Sequence, residues 1–156
     1  MLALFNELQA TFEGKNYLTE AGKVEFRKRL DSLASAMLEL PQAELSLNHY
    51  FSKGIYTREM HAPKGTLILG RIHKYETVNT LVKGRILVLS EEGYKELSAP
   101  CTFVSGPNIQ KLGYAIEDVI FLNSFATDKT DPEEALEEVT IDPKIHLTFY
   151  LKEGVA

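Results

Sequence analysis

The tightest constraint on this chain is a change of period near residue 45. From about Leu45 to Leu122, nine short apolar or alternating runs follow one another, at 47–51, 55–60, 66–73, 77–82, 85–90, 94–97, 102–105, 111–115 and 119–123. Turn-forming residues separate them: Lys53-Gly54, Pro63-Lys64-Gly65, Lys83-Gly84, Glu91-Glu92-Gly93, Ala99-Pro100 and Gly106-Pro107-Asn108. Glycine reaches backbone angles other residues avoid, and proline pre-sets a turn, so each cluster ends one strand and begins another. Many short strands at this spacing predict an all-β sandwich or barrel.

The flanks carry a helical period instead. Leu4, Phe5, Leu8 and Phe12 share one face, and Gly14-Lys15-Asn16 breaks that run. A second helix starts at Thr19, whose hydroxyl can cap free backbone amides. Its residues Phe26, Leu30, Leu33 and Met37 form one apolar stripe, and Pro41 stops it. The basic run Arg27, Lys28 and Arg29 reads as a solvated helix face. After Asn123 the chain turns acidic, and Asp131-Pro132-Glu133-Glu134 has the cap, proline and acids of a helix start. That short helix is expected to end near Val139, with Glu133, Glu134, Glu137 and Glu138 in solvent. The stretch 144–151 reads as a last strand that closes the sheet or pairs with a neighbouring subunit. No linker intervenes, so a single domain over 1–156 is expected: a helical extension (1–41), a barrel (45–125), and an acidic helix with a terminal strand (126–156).

Composition excludes several classes. A net charge of −5 over 156 residues argues against a nucleic-acid binder, which needs a concentrated cationic surface. The start lacks a basic leader region, and no stretch reaches the ~18 apolar residues of a membrane span. A soluble, cytoplasmic protein without membrane partners is expected. Cys101 is the single cysteine and lies in an apolar run, which reads as a small buried hydrophobe. Walker loop, dinucleotide fingerprint, nucleophile elbow and CxxC pair are all missing from the sequence, so no catalytic residue is assigned.

One ordered set of motifs narrows the barrel further. It comprises Gly54-Ile55-Tyr56-Thr57-Arg58-Glu59, Pro63-Lys64-Gly65-Thr66, Gly70-Arg71-Ile72-His73-Lys74, Lys83-Gly84, Ala99-Pro100-Cys101-Thr102-Phe103-Val104-Ser105 and Gly113-Tyr114-Ala115-Ile116-Glu117-Asp118. The segment from about Tyr50 to Phe125 resembles the cupin superfamily, and more narrowly the small cupin-like proteins of tailed bacteriophages. The resemblance implies a double-stranded β-helix, that is, a jelly-roll barrel of RmlC-like type. It also implies assembly into homo-oligomers and, for a phage-encoded protein, residence in the host cytoplasm.

Metal-binding cupins take two histidines and a glutamate from a first motif and a histidine from a second. Counting back from Gly84, the resemblance puts His73 on the second histidine, Arg71 on the first and Thr77 on the glutamate. Glu76 is one residue out of register, which turns it to the other face in a regular strand. Lys111 falls near the last histidine. One ligand of four survives, so no metal and no cofactor are expected, since a stable divalent site needs three or more protein ligands. His61 and Glu117 could join His73 and Glu76, though nothing in their spacing requires it.

Alternation places Arg71, His73, Tyr75 and Thr77 on one face of a strand if no bulge intervenes. With Lys111 and Tyr114 they are the candidate lining of a cavity. An inward arginine needs an anionic partner. Glu76, Glu117 or Asp118 would supply one internally; otherwise a ligand carboxylate or phosphate would. Arg58 and Glu59 read as a surface pair, and His49 and His146 are assigned nothing. These readings favour a metal-free cupin-like protein that holds a small ligand, an anion among the candidates, or that mediates protein contacts. Two alternatives remain open. One is a cupin enzyme acting on a small organic acid or sugar nucleotide, with His73 as base or ligand. The other is a structural or regulatory phage protein whose barrel is filled by side chains.

Overall fold

The computed structural model describes residues 2–13, 17–141 and 147–150. Two helices come first, α1 (Leu2–Phe12) and α2 (Glu20–Leu38). Thr19 caps α2 as its sequence suggests, its Oγ1 accepting the Gly22 N–H at 3.0 Å. Ten strands follow: β1 (Ser46–Ser52), β2 (Ile55–Ala62), β3 (Thr66–Leu69), β4 (Ile72–His73), β5 (Thr77–Lys83), β6 (Arg85–Ser90), β7 (Gly93–Ser98), β8 (Cys101–Ser105), β9 (Lys111–Ala115) and β10 (Val119–Ala126). Helix α3 (Pro132–Val139), the two-residue β11 (Thr140–Ile141) and β12 (Leu147–Tyr150) complete the described chain. None of the described helices is long and apolar enough to cross a membrane.

The strands form two five-stranded antiparallel sheets in the orders β1-β2-β10-β5-β8 and β12-β3-β9-β6-β7. We call the first sheet B and the second sheet A. The predicted run 66–73 is two strands rather than one, because Gly70 and Arg71 leave the ladder between β3 and β4. The short β4 pairs with β11 instead, His73 opposite Thr140 and Ile72 opposite Ile141. The last strand pairs with β3 along the edge of sheet A. Of the predicted 144–151 strand, residues 144–146 and 151 lie outside the described residues, as does the predicted 14–16 break.

Sheet A is covered on both sides. Leu67, Leu69, Leu87, Leu89, Leu112 and Tyr114 point one way and pack with Phe5, Phe26, Leu30, Leu33 and Met37 of the two helices. The intervening residues Ile68, Ile86, Val88 and Ala115 point the other way, toward Met60, Leu81, Val119 and Phe121 of sheet B. Two-sided burial explains why β3 and β6 read as continuous apolar runs. Each large apolar side chain buried in the helical layer contributes about 1.5–3 kcal/mol.

The β5–β6 turn depends on Gly84. Its φ is +81°, and a Cβ there would collide with the Asp118 carbonyl oxygen, so no other residue fits. Helix α3 starts where the acids predict: the Asp131 carboxylate accepts the Glu133 and Glu134 N–H groups at 3.1 Å, with Pro132 in the first turn. Its inner residues Ala135, Leu136 and Val139 pack on Tyr56 and Phe125.

Candidate functional site

A cavity of about 90 Å³ opens between the two sheets. Met60, Ile68, Ile86, Val88, Phe121 and Leu136 form its apolar wall. Five polar side chains interrupt that wall: Arg58 from β2, Arg71 from the β3–β4 break, His73 from β4, Lys111 from β9 and Asn123 from β10. Among the described residues no carboxylate lines it. Three cations therefore share a small, mostly apolar space.

The arginines are short of partners. The Nε atoms of Arg58 and Arg71 are buried, and neither makes a hydrogen bond. The acids considered for Arg71 are engaged elsewhere or exposed. Glu117 accepts from Arg85 Nε at 2.9 Å, Asp118 accepts the Lys64 N–H at 2.8 Å, and Glu76 is exposed. Burial lowers the pKa of both guanidinium groups, and the Arg58 charge further lowers that of Arg71. Glu133 and Glu137 of α3 act on Arg71 in the opposite sense. Arginine stays protonated under any such environment, so these charges persist and need a counter-charge.

His73 and Lys111 respond to the same surroundings. Burial, then the charges of Lys111, Arg58 and Arg71, push the His73 imidazolium down to about 3. The ring is therefore neutral near pH 7. Burial likewise lowers Lys111 to about 8, against the favourable fields of Glu92 and Glu91. Its ammonium also sits 5.9 Å from the centre of the Phe103 ring.

Several contacts hold these groups in place. His73 Nδ1 and Thr77 Oγ1 lie 2.9 Å apart, and the ring meets Phe125 edge-on at 5.1 Å. The His73 carbonyl accepts the Asn108 N–H at 2.8 Å, and the Asn108 carbonyl accepts Arg27 Nη2 at 2.9 Å. Asn123 Nδ2 donates to Asn79 Oδ1 at 2.6 Å, and Asn79 donates to Ser105 Oγ at 2.5 Å. The buried Glu91 carboxylate accepts the Gln110 N–H at 2.9 Å, while Gln110 Nε2 donates to the Gly70 carbonyl at 3.2 Å. The loops bearing Arg71 and Lys111 are thereby tied together.

Of the six candidate residues, the structure brings Arg71, His73 and Lys111 to the cavity and places the other three elsewhere. Tyr75 is 61% exposed, because Lys74 and Tyr75 form a bend and the alternation assumed through them is broken. Thr77 is buried behind His73 as its hydrogen-bond partner and does not line the cavity. Tyr114 faces the helical layer, with its ring 6.3 Å from that of Phe5, since strand parity sets it opposite Lys111.

Arg58 and Asn123 were not anticipated. Arg58 is no surface partner of Glu59, which instead bonds His61 at 2.7 Å and Asn48 at 2.8 Å. The signal was available: Tyr56, Met60 and Ala62 alternate as the inner face of β2, and Arg58 shares their parity. Arg27 also departs from its solvated reading, since it ties α2 to the Asn108 loop. His49 bonds the Tyr56 hydroxyl at 2.6 Å, and His146 lies outside the described residues.

The metal of metal-binding cupins does not fit this cavity. Among the described residues no three His, Cys, Asp or Glu side chains come together. The positions that the resemblance assigns to ligands carry Arg71, Thr77 and Lys111, and two of these repel a cation.

No family model and no curated protein matches the chain. Solved structures do. An ectoine synthase from P. lautus aligns at 13% identity over 75% of this chain and 86% of its own, with a TM-score of 0.56. KdgF from Halomonas sp. aligns at 15% identity over 60% of this chain and 90% of its own, with a TM-score of 0.50. An RmlC-like cupin from Shewanella frigidimarina aligns at 18% identity over 56% and 78%, with a TM-score of 0.47. At such identities the likeness is one of fold. Two antiparallel five-stranded sheets, closed face to face in the order described, make this chain a cupin-type jelly-roll barrel with a helical layer on one sheet.

Proposed function

We propose that the barrel binds a small organic anion without a metal, its carboxylate held by Arg58 and Arg71 and its short apolar body set against the wall. One observation carries this reading: two arginines line the cavity with buried Nε atoms that make no hydrogen bond, and no carboxylate lines it among the described residues. Uncompensated buried charge is costly, and an incoming anion relieves it. The volume favours a few-atom acid over a sugar nucleotide, being far below the roughly 300–1,000 Å³ of pockets for drug-sized ligands. Binding is also preferred to catalysis by His73. A ring that protonates near pH 3 is a weak base near neutrality, where a general base needs a pKa close to the working pH. The likeness to cupin-like proteins of tailed bacteriophages adds a phage source to this proposal, on the strength of the sequence motifs.

Isothermal titration with acetate, lactate, pyruvate and inorganic phosphate tests the reading. At least one carboxylate should bind, and Arg58→Met or Arg71→Met should weaken it about 10- to 100-fold, as expected for losing a charge-assisted hydrogen bond. If none of the four anions binds, or if both variants bind as the parent does, the reading is wrong.

A further inference from the structure

Among the described residues that line the cavity, Lys111 carries the primary amine, and the anion reading does not use its chemistry. The protonated guanidinium groups and the His73 imidazole, bonded to Thr77 through Nδ1, have no free primary amine with which to form an imine. Lys111 projects from β9 into the same space as Arg58 and Arg71, and among the described residues it forms no ion pair. Glu92 and Glu91 act on it through their fields; Glu91 Oε2 accepts the Gln110 N–H, and its Oε1 lies 4.0 Å from Arg27 Nε. An amine in an apolar-walled pocket beside other cations is the arrangement that activates lysines toward carbonyl substrates.

We propose that Lys111 forms a Schiff base with a short-chain 2-oxo acid whose carboxylate is held by Arg58 and Arg71. This rests on the anion reading above and adds the ligand class. The two functional groups of a 2-oxo acid are adjacent, which matches arginines and amine lining one small cavity, and its alkyl tail matches the apolar wall. In the reaction the Nζ lone pair forms a C–N bond to the C2 carbonyl carbon. The carbonyl oxygen takes two protons from the original ammonium and leaves as water, and a protonated imine remains on Lys111. No oxidant or reductant is consumed. With Lys111 titrating at about 8, roughly a quarter of its amine is free at pH 7.5, against about a thousandth for an ordinary lysine.

The test incubates the full chain at pH 7.5 with pyruvate and sodium cyanoborohydride, then maps adducts by intact and peptide mass spectrometry. Lactate, which has the carboxylate but no carbonyl, is run in parallel by calorimetry on the parent and on Lys111→Arg. The expected result is one reduced pyruvyl group, on Lys111. Lys111→Arg should lose that adduct and still bind lactate within about tenfold of the parent. Arg71→Met should slow adduct formation at least tenfold with pyruvate but not with acetone, which lacks the carboxylate. Lactate binding without an adduct on Lys111, or adducts spread evenly over the surface lysines, overturns the Schiff base and leaves the anion site standing. No lactate binding and no adduct overturns both.

Discussion

The two faces of sheet A are made from alternate residues of the same strands, yet they differ in kind. The face toward the helices packs mostly aliphatic side chains, with Leu67, Leu69, Leu87, Leu89 and Leu112 against Phe26, Leu30 and Met37. The face toward the barrel shares its space with Arg58, Arg71 and Lys111. One face is satisfied by the chain itself, whereas the other is left with charge unpaired. On the proposed reading, the outer layer serves packing alone, whereas the inner one combines packing with ligand contacts.

Substitutions can break that division. Phe26→Ala, in the fully buried outer layer, should cost about 3–5 kcal/mol in urea unfolding while leaving anion affinity of the folded protein within a factor of about two. A large loss of affinity with intact folding would show that the two faces are coupled. Arg71→Met should do the reverse. Affinity should fall about 10- to 100-fold, and stability should stay level or rise by about 1 kcal/mol, because an unpaired buried charge is replaced by an apolar chain. Marked destabilisation would mean that Arg71 is structural.

Titration sharpens the comparison further. The unfolded His73 protonates near 6.5 and the native one near 3, so on acidification the unfolded state takes up the proton first. Stability should fall as pH drops through this window, by about 1 kcal/mol at pH 5.5 relative to His73→Gln. Equal acid sensitivity in parent and variant would remove His73 as the cause. Lys111 titrates on the alkaline side and in the opposite sense. Between about pH 8 and 10.5 the unfolded lysine keeps a proton that the native one has released, so folding gains stability as pH rises. Anion affinity should weaken over pH 7 to 9 by about 3- to 10-fold, because one attracting charge is lost. Opposite slopes for folding and binding from one proton are the signature to look for, and parallel slopes would contradict it.

Much of the barrel was legible because its turns are written in glycine and proline. Lys83-Gly84, Glu91-Glu92-Gly93 and Gly106-Pro107-Asn108 each separate strands as expected. The errors at the site are errors of parity. Alternation groups Tyr75 and Thr77 with Arg71 and His73 only by counting through the bend at Lys74 and Tyr75, where pleating stops. Tyr114 was grouped with Lys111 although three residues of strand reverse the side. Arg58 was overlooked because a charged residue invites a surface reading, and only its neighbours Tyr56 and Met60 reveal its direction. That neither Glu117 nor Asp118 pairs with Arg71 could not be read from sequence, since it depends on their being held by Arg85 and Lys64, distant in the chain.

The order of the elements has a consequence for how the chain is born. Helix α2 is complete at Leu38, but the residues that cover its apolar stripe include Leu87, Leu89, Leu112 and Tyr114. At about 5–20 residues per second, a ribosome needs several seconds to deliver them. Throughout that interval Phe26, Leu30 and Met37 have only part of their eventual shelter, and the oily side of a finished helix faces the crowded exterior. Until those strands emerge, the apolar stripe of α2 is a surface on which nascent chains can associate.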